Sequence, residues 1–319
     1  QVTEAQVRER LNAFVGTEVQ DVEIEKLSYW YVNQTWAANY SVGRVFCGGD
    51  AVHRHPPSSG LGSNTCMQDA FNLAWKLAYA VKGWAQPDLL ESYTAERAPV
   101  GKQIVARANQ SRFDYRHLKD VFGFDQGVTT QAQMLDRIFA ETEDAAKIRE
   151  QLFKALEIKH YEFNAQGTEL NQRYASNAVV AESDEEVFLQ DPQLHLQATT
   201  RPGAKVPHAW LVDAKGQKRS TLDISGKGRF TLMTGLSGTV WKVAAEALAL
   251  PYLDVVQIGS RQFRDVYGAW NAKSEVHEAG AVLVRPDGYV AWRMVDKPNE
   301  GYDYAAVLKQ VLAQIQLSV

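Results

Sequence analysis

The sequence predicts an α/β chain, and two stretches carry that prediction. Residues 44–82 read as a short strand, a Gly/Pro-rich loop and a long helix. From residue 209 onward the segments follow the order strand, helix, strand, hairpin, helix, the pattern of a small α/β layer with a mixed sheet. Size and composition permit this: 319 residues, 45% hydrophobic and 23% charged, suffice for two domains with packed cores.

The N-terminal elements come first. Thr3, Glu4 and Gln6 give an N-cap with an acidic first turn, Val7, Leu11 and Phe14 recur at helical spacing, and Gly16 ends the helix. Residues 19–42 alternate and are rich in Val, Ile, Tyr and Trp, so strands are expected there. Tyr29, Trp30, Tyr31 and Trp36 would then be sheet residues facing a core or a pocket. Arg44 to Cys47 reads as a short buried strand running into Gly48-Gly49-Asp50.

After a loop over 53–63, a helix is expected from Ser63 or Asn64 to about Lys82, with Ala70, Leu73, Ala74, Leu77 and Ala78 on one face and Gly83 as its stop. A second helix begins near Asp88, carries Leu89, Tyr93, Val100, Ile104 and Val105, and should kink at Pro99. Residues 130–158 read as further helix. Residues 164–208 hold few periodic signals, and Asp191-Pro192 and Arg201-Pro202-Gly203 mark turns, so this is a candidate linker.

Beyond it, strands are expected at 209–212, 229–234, 253–258, 280–285 and 288–294, and helices at 238–250 and 303–317. Pro286-Asp287-Gly288 turns 280–294 into a hairpin. This order resembles a thioredoxin fold.

Composition excludes several function classes. The net charge is −4 with no basic block, which argues against nucleic acid or an anionic membrane as partner. No apolar run reaches the roughly 18 residues a membrane span needs, and no basic-then-apolar leader is visible. Cys47 and Cys66 lack metal-site or CxxC spacing, and His53-Arg54-His55 has no third ligand nearby, so no metal centre is expected. A cytoplasmic, reducing compartment is the default. The chain opens with Gln1 rather than Met, which reads as a fragment or processed product.

The stretch that carries chemistry is Gly43-Arg44-Val45-Phe46-Cys47-Gly48-Gly49-Asp50-Ala51-Val52-His53, followed by Arg54-His55-Pro56-Pro57-Ser58-Ser59-Gly60-Leu61-Gly62-Ser63-Asn64. A strand delivers a carboxylate to its C-terminal end, where open α/β sheets bind ligands, and a carboxylate there accepts hydrogen bonds from sugar-like hydroxyls. Gly60 and Gly62 let backbone approach a ligand, and the following helix points free N–H groups and its positive end at the same place. Such a terminus stabilises negative charge on a phosphate or an electron-rich ring. On spacing alone, a plain strand–turn–helix connection fits as well.

This block resembles the second FAD motif of the class A flavoprotein monooxygenases, the para-hydroxybenzoate hydroxylase and phenol hydroxylase group. Gln68-Asp69-Ala70-Phe71-Asn72-Leu73-Ala74-Trp75-Lys76-Leu77 continues the motif and Tyr93-Thr94-Ala95-Glu96-Arg97 closes it. Tyr161 to Glu169, Pro207 to Leu211, and Val282-Leu283-Val284-Arg285-Pro286-Asp287-Gly288 resemble the 2,4-dichlorophenol 6-monooxygenase branch. The Gly-x-Gly-x-x-Gly that holds the ADP half of FAD in this family does not occur here.

The resemblance implies the C-terminal part of such an enzyme. Residues 1–43 would end the substrate-binding domain, 44–163 would be the C-terminal segment of the FAD domain with its following helices, 164–208 a linker, and 209–319 a thioredoxin-like domain without redox cysteines. It implies ortho-hydroxylation of a phenol, notably a chlorophenol, to a catechol, with FAD as cofactor, NADPH and O2 as co-substrates, and a flavin C4a-hydroperoxide. A homo-oligomer, dimer or tetramer, is expected.

By resemblance, Asp50 bonds the ribityl chain of FAD, and Gly60, Leu61, Gly62, Ser63 and Asn64 present backbone N–H groups to the flavin's pyrimidine edge. That is an electrostatic device of the oxyanion-hole kind. Pro57 lies beside the isoalloxazine ring, and His55 is the candidate proton acceptor, with His53 in a supporting place. Two alternatives stay open at this level: a non-catalytic assembly or dimerisation module, and a related flavoenzyme such as a halogenase.

Overall fold

Thr3 caps the first helix, α1 (Glu4–Val15), through a reciprocal capping box with Gln6, and Gly16 ends it in the left-handed conformation. The computed structural model describes residues 2–128, 130–299 and 301–319. The chain divides into two units, Gln1–Asn33 and Gln34–Val319.

In the first unit, residues 19–33 are irregular rather than strands. Alternation needs a partner to pair its backbone groups, and no ladder forms on this segment among the described residues. Tyr29, Trp30 and Tyr31 are exposed.

The second unit begins with β1 (Thr35–Trp36), β2 (Ser41–Val42), β3 (Val45–Phe46) and β4 (His53–Arg54). β2 and β3 pair as a hairpin around Gly43, and β1 pairs with β4. The expected buried strand at 44–47 is therefore an exposed hairpin arm: Val45 is exposed and Phe46 half-buried. Asp50 lies in a 3-10 turn, Gly49–Ala51, not at the end of a parallel strand.

Next come α2 (Gly62–Val81) and α3 (Ser92–Phe113), the latter running through Pro99 without ending. The predicted apolar face of α2 is corrected by the structure. Ala70, Ala74 and Ala78 are exposed and Leu73 and Leu77 half-buried. The buried residues are Thr65, Asp69, Asn72, Trp75, Lys76 and Tyr79. Polar partners on neighbouring segments make that burial tolerable, as the site below shows.

Helices α4 (Tyr115–Phe122), α5 (Gln131–Phe139), α6 (Glu143–Ile158), α7 (His160–Phe163) and α8 (Gln166–Leu170) follow. Residues 171–209 carry no helix or strand, yet Gln172, Tyr174, Ala178, Val179, Thr199 and Thr200 are buried.

The C-terminal part contains β5 (Trp210–Asp213), β6 (Lys218–Ser220), α9 (Thr221–Ile224), β7 (Phe230–Thr234), α10 (Thr239–Leu248), β8 (Leu253–Gln257), β9 (Phe263–Arg264), α11 (Asn271–Ser274), β10 (Ala281–Val284), β11 (Val290–Met294) and α12 (Tyr304–Gln314). The four-stranded sheet has the order β11-β10-β7-β8, with β7 and β8 parallel and the other pairs antiparallel. Period-two alternation sorts the strands onto two cores. Phe230, Leu232, Ala281 and Leu283 face a cluster built on Trp241, Leu308, Trp75 and Tyr79. Met233, Val282 and Val284 face the other, with Leu211 and Trp270. One sheet face thus packs on α2 itself. No helix is long and apolar enough to cross a membrane among the described residues.

Candidate flavin-binding site

The site begins with the turn at Gly48-Gly49-Asp50. Gly49 takes φ +60°, and a Cβ there would meet Cys66 Sγ at 2.9 Å; a Cβ on Gly48 would meet the Tyr93 hydroxyl at 2.9 Å. Glycine is required twice because α2 and α3 close on the turn from both sides. Tyr93 donates from its hydroxyl to the Cys47 carbonyl at 2.9 Å. Asp50 is left exposed, its carboxylate approached by the Cys66 thiol at 3.9 Å. Burial and the neighbouring Asp50 carboxylate both push the Cys66 thiol up.

Asp69, on the buried stripe of α2, holds this turn. Its Oδ2 accepts from the Gly49 N–H at 3.0 Å and from His53 Nε2 at 2.9 Å, and its Oδ1 accepts from Arg97 Nε at 2.7 Å. Burial alone would raise its pKa. The His53 hydrogen bond, the Arg97 charge and the Gly49 N–H outweigh that and hold it below the ordinary carboxylate range. Arg97 passes the contact on, to Gln172 Oε1 and the Tyr174 hydroxyl at 2.9 Å each. Gln172 also accepts from the Tyr289 hydroxyl, in the C-terminal hairpin, at 3.1 Å.

The loop to α2 is fixed from the α3 side. Ser58 donates to the Ala108 carbonyl at 2.6 Å and Ser59 to Ser111 Oγ at 3.1 Å. Ser59 and Gly60 both take positive φ. Leu61 is buried among Val100, Ile104, Tyr174, Val179 and Tyr289 and anchors the helix start. The first intrahelical bond runs from the Thr65 N–H to the Leu61 carbonyl, so the N–H groups of Gly62, Ser63 and Asn64 precede the ladder, and no side chain among the described residues caps them. Asn64 instead donates through its side chain to the Gly60 carbonyl at 2.9 Å. Beside these turns lies a cleft of about 470 Å3 lined by Leu61, Asn64, Thr65, Met67, Phe71 and Ile104, among others.

Pro57 is exposed, whereas Pro56 is buried. His55 is half-buried, and its Nδ1 lies 2.8 Å from the Pro56 carbonyl. A carbonyl only accepts, so the proton sits on Nδ1 and Nε2 is the free basic atom. Its ring stacks on that of His53, with centroids 6.5 Å apart.

A second buried network joins the same helices to the sheet. Glu96 Oε2 accepts from Lys76 Nζ at 2.8 Å, Asn72 at 2.7 Å and Arg285 Nη2 at 2.9 Å. Arg285 also donates to Asp287 Oδ2 at 2.6 Å, and Asp287 accepts from Trp75 Nε1 at 3.0 Å. Lys76, Glu96 and Arg285 are each 2% exposed or less. Despite the cost of its burial, Glu96 is held far below the carboxylate range by Arg285 and Lys76.

Of the sequence-predicted residues, Asp50 thus lies on one turn, Pro57, Gly60 and Leu61 on the loop, and Gly62, Ser63 and Asn64 in the first turn of α2, with turn and loop clamped to α2 and α3. Sequence reasoning missed the holding groups, Asp69, Tyr93, Arg97 and Gln172. A signal existed: Thr65, Asp69, Asn72, Lys76 and Tyr79 recur at steps of four and three, a polar stripe on one helical face.

The donor set fits a flavin. A free carboxylate suits polyol hydroxyls, and uncapped peptide N–H groups suit the electron-rich pyrimidine edge.

Comparisons with known proteins agree. Residues 1–108 match the family described as FAD binding domain, and residues 199–315 the family described as aromatic-ring hydroxylase, C-terminal. The chain is 47% identical over 288 residues to phenol 2-monooxygenase of Pseudomonas sp. (strain EST1001), covering 88% of this chain and 47% of that protein. It is 40% identical over 323 residues to 2,4-dichlorophenol 6-monooxygenase of Cupriavidus pinatubonensis (strain JMP 134 / LMG 1197), covering 98% of this chain and 54% of the relative. The structure of the flavin-dependent monooxygenase PieE, in complex with FAD and substrate, superposes with a TM-score of 0.87 at 43% identity, over 99% of this chain and 55% of that one. The chain therefore spans about half the length of these relatives. The two matched regions give the assignment: residues 1–108 belong to the family described as FAD binding domain, and residues 199–315 to the family described as aromatic-ring hydroxylase, C-terminal.

Proposed function

We propose that this chain carries the flavin end and the C-terminal domain of an FAD-dependent monooxygenase. The enzyme takes NADPH and O2 and hydroxylates a phenol ortho to its hydroxyl, giving a catechol, with chlorophenols as the preferred class. The observation that carries this reading is the pairing of an exposed Asp50 with the uncapped start of α2, both clamped by α3. The phenol and dichlorophenol monooxygenases among the relatives support the substrate class.

Bound FAD supplies the redox chemistry. Asp50 accepts from ribityl hydroxyls. The N–H groups at Gly60, Leu61, Gly62, Ser63 and Asn64 favour negative charge at the pyrimidine edge. Pro57 shapes the wall beside the ring, and His55 takes a proton at Nε2. The domain division at 43, 163 and 208 belongs to the same reading, with residues 209–319 as a thioredoxin-like domain lacking redox cysteines. The β7-α10-β8 crossover followed by the β10–β11 hairpin and α12 supports that last point.

The test uses the full-length polypeptide with FAD, NADPH and a phenol panel that includes 2,4-dichlorophenol. The expected result is phenol-stimulated NADPH oxidation with a catechol product bearing one atom from labelled O2. Bound flavin whose NADPH oxidation no phenol stimulates would overturn it.

A further inference from the structure

We propose that Asp69 is a positioning residue for the cofactor: it acts on the flavin through the turn that carries Asp50, without touching the flavin. The inference rests on the reading of Asp50 as a flavin ligand. Asp50's exposed carboxylate has few restraints: among the described residues it meets the Cys66 thiol alone, at 3.9 Å. What fixes its direction is the backbone on either side.

The Gly49 N–H is held by Asp69 Oδ2, the Cys47 carbonyl by Tyr93, and the Val52 N–H by the Gly49 carbonyl at 2.9 Å. Two contacts on the turn are charge-assisted, and so among the stronger kind: the buried one from Asp69, and one from the exposed Arg54 Nε to the Asp50 carbonyl at 3.0 Å. The Asp69 carboxylate is in turn immobilised, because His53 shares Oδ2 and Arg97 takes Oδ1. Asp69 is 1% exposed and Arg97 0%, so neither bond competes with water. A Gly49 with φ +60° has many other conformations open to it when unbound, and one buried carboxylate selects among them.

This makes a distinctive prediction for paired substitutions in the full-length polypeptide, read as FAD affinity by flavin fluorescence and as thermal midpoint. Asp50→Asn is expected to weaken FAD about tenfold or more, the loss of a charged hydrogen-bond acceptor. Asp69→Asn is expected to weaken it to a comparable degree. The double variant should bind FAD within about twofold of Asp50→Asn alone, because residues acting through one another do not add.

Multiplying effects would overturn the positioning role, as would an Asp69→Asn protein with a lowered midpoint and unchanged FAD affinity. An Asp50→Asn protein with wild-type FAD affinity would instead overturn the flavin reading beneath it. Should Asp69→Asn not fold, His53→Phe frees the same carboxylate oxygen and keeps the Arg97 pair. It is expected to weaken FAD about fivefold, again without adding to Asp50→Asn; unchanged affinity or full additivity would overturn the proposal.

Discussion

Between α2 and α3 many of the buried side chains are charged or polar, while across the C-terminal sheet most are apolar. Asp69, Lys76, Glu96 and Arg97 occupy the first interior, and Leu232, Met233, Val282, Leu283 and Val290 the second. Apolar packing is non-directional and scales with area removed from water. Ion pairs in a dry interior add little net stability against well-packed apolar groups, but they tolerate few geometries. The region that holds the Asp50 turn is thus the one built from directional contacts. The region that supports it is built from area. They meet at the tip of the β10–β11 hairpin, where Arg285 and Asp287 enter the charged network while Val284 and Val290 stay in the apolar one.

The contrast can be broken most directly at Glu96. Glu96→Ala leaves Lys76 and Arg285 buried without their shared carboxylate, and a loss of about 3–5 kcal/mol in urea denaturation is expected. A loss under about 1 kcal/mol would mean that water enters this interior, and the contrast would fail. In the sheet, Leu283→Ala is expected to cost about 2–5 kcal/mol, set by the cavity it leaves; its size should not change with pH.

A smaller effect separates the two regions by titration. Burial lowers the Lys76 ammonium from 10.5 to about 8, with Glu96 offsetting only part. Between those values the unfolded chain binds a proton that the folded chain lacks, so this group makes stability rise with pH. Lys76→Met should flatten that rise, seen as denaturation midpoints at two pH values bracketing the window. A slope equal to wild type would remove Lys76 as its source.

The same contrast explains what could be read from the sequence. The C-terminal strands and helices fall within a few residues of their expected positions, because both their periodicity and their core are apolar. Helix α2 was found with nearly correct ends but the wrong face. Its partners, Glu96, Arg97, Arg285 and Asp287, lie tens to hundreds of residues away, and no local pattern reveals them. Residues 19–33 failed for the opposite reason: local alternation was present, but no partner strand pairs with it among the described residues. At the candidate site, the loop after His53 and the start of the following helix near Ser63 were legible from a dense local motif. The holding residues were not, since a buried charge looks like a solvated one until its counter-ion is placed.

The reach of the Arg285 to Glu96 pair has a consequence for biogenesis. The two residues are 189 positions apart. At about 5–20 residues per second, a ribosome finishes Glu96 roughly 10–40 s before Arg285 emerges. During that interval α2 and α3 hold an incomplete set of charges, so water must stay between them. The charged network between α2, α3 and the sheet is then completed late in synthesis, when the last hairpin docks, and a nascent chain stalled before residue 285 would carry it incomplete.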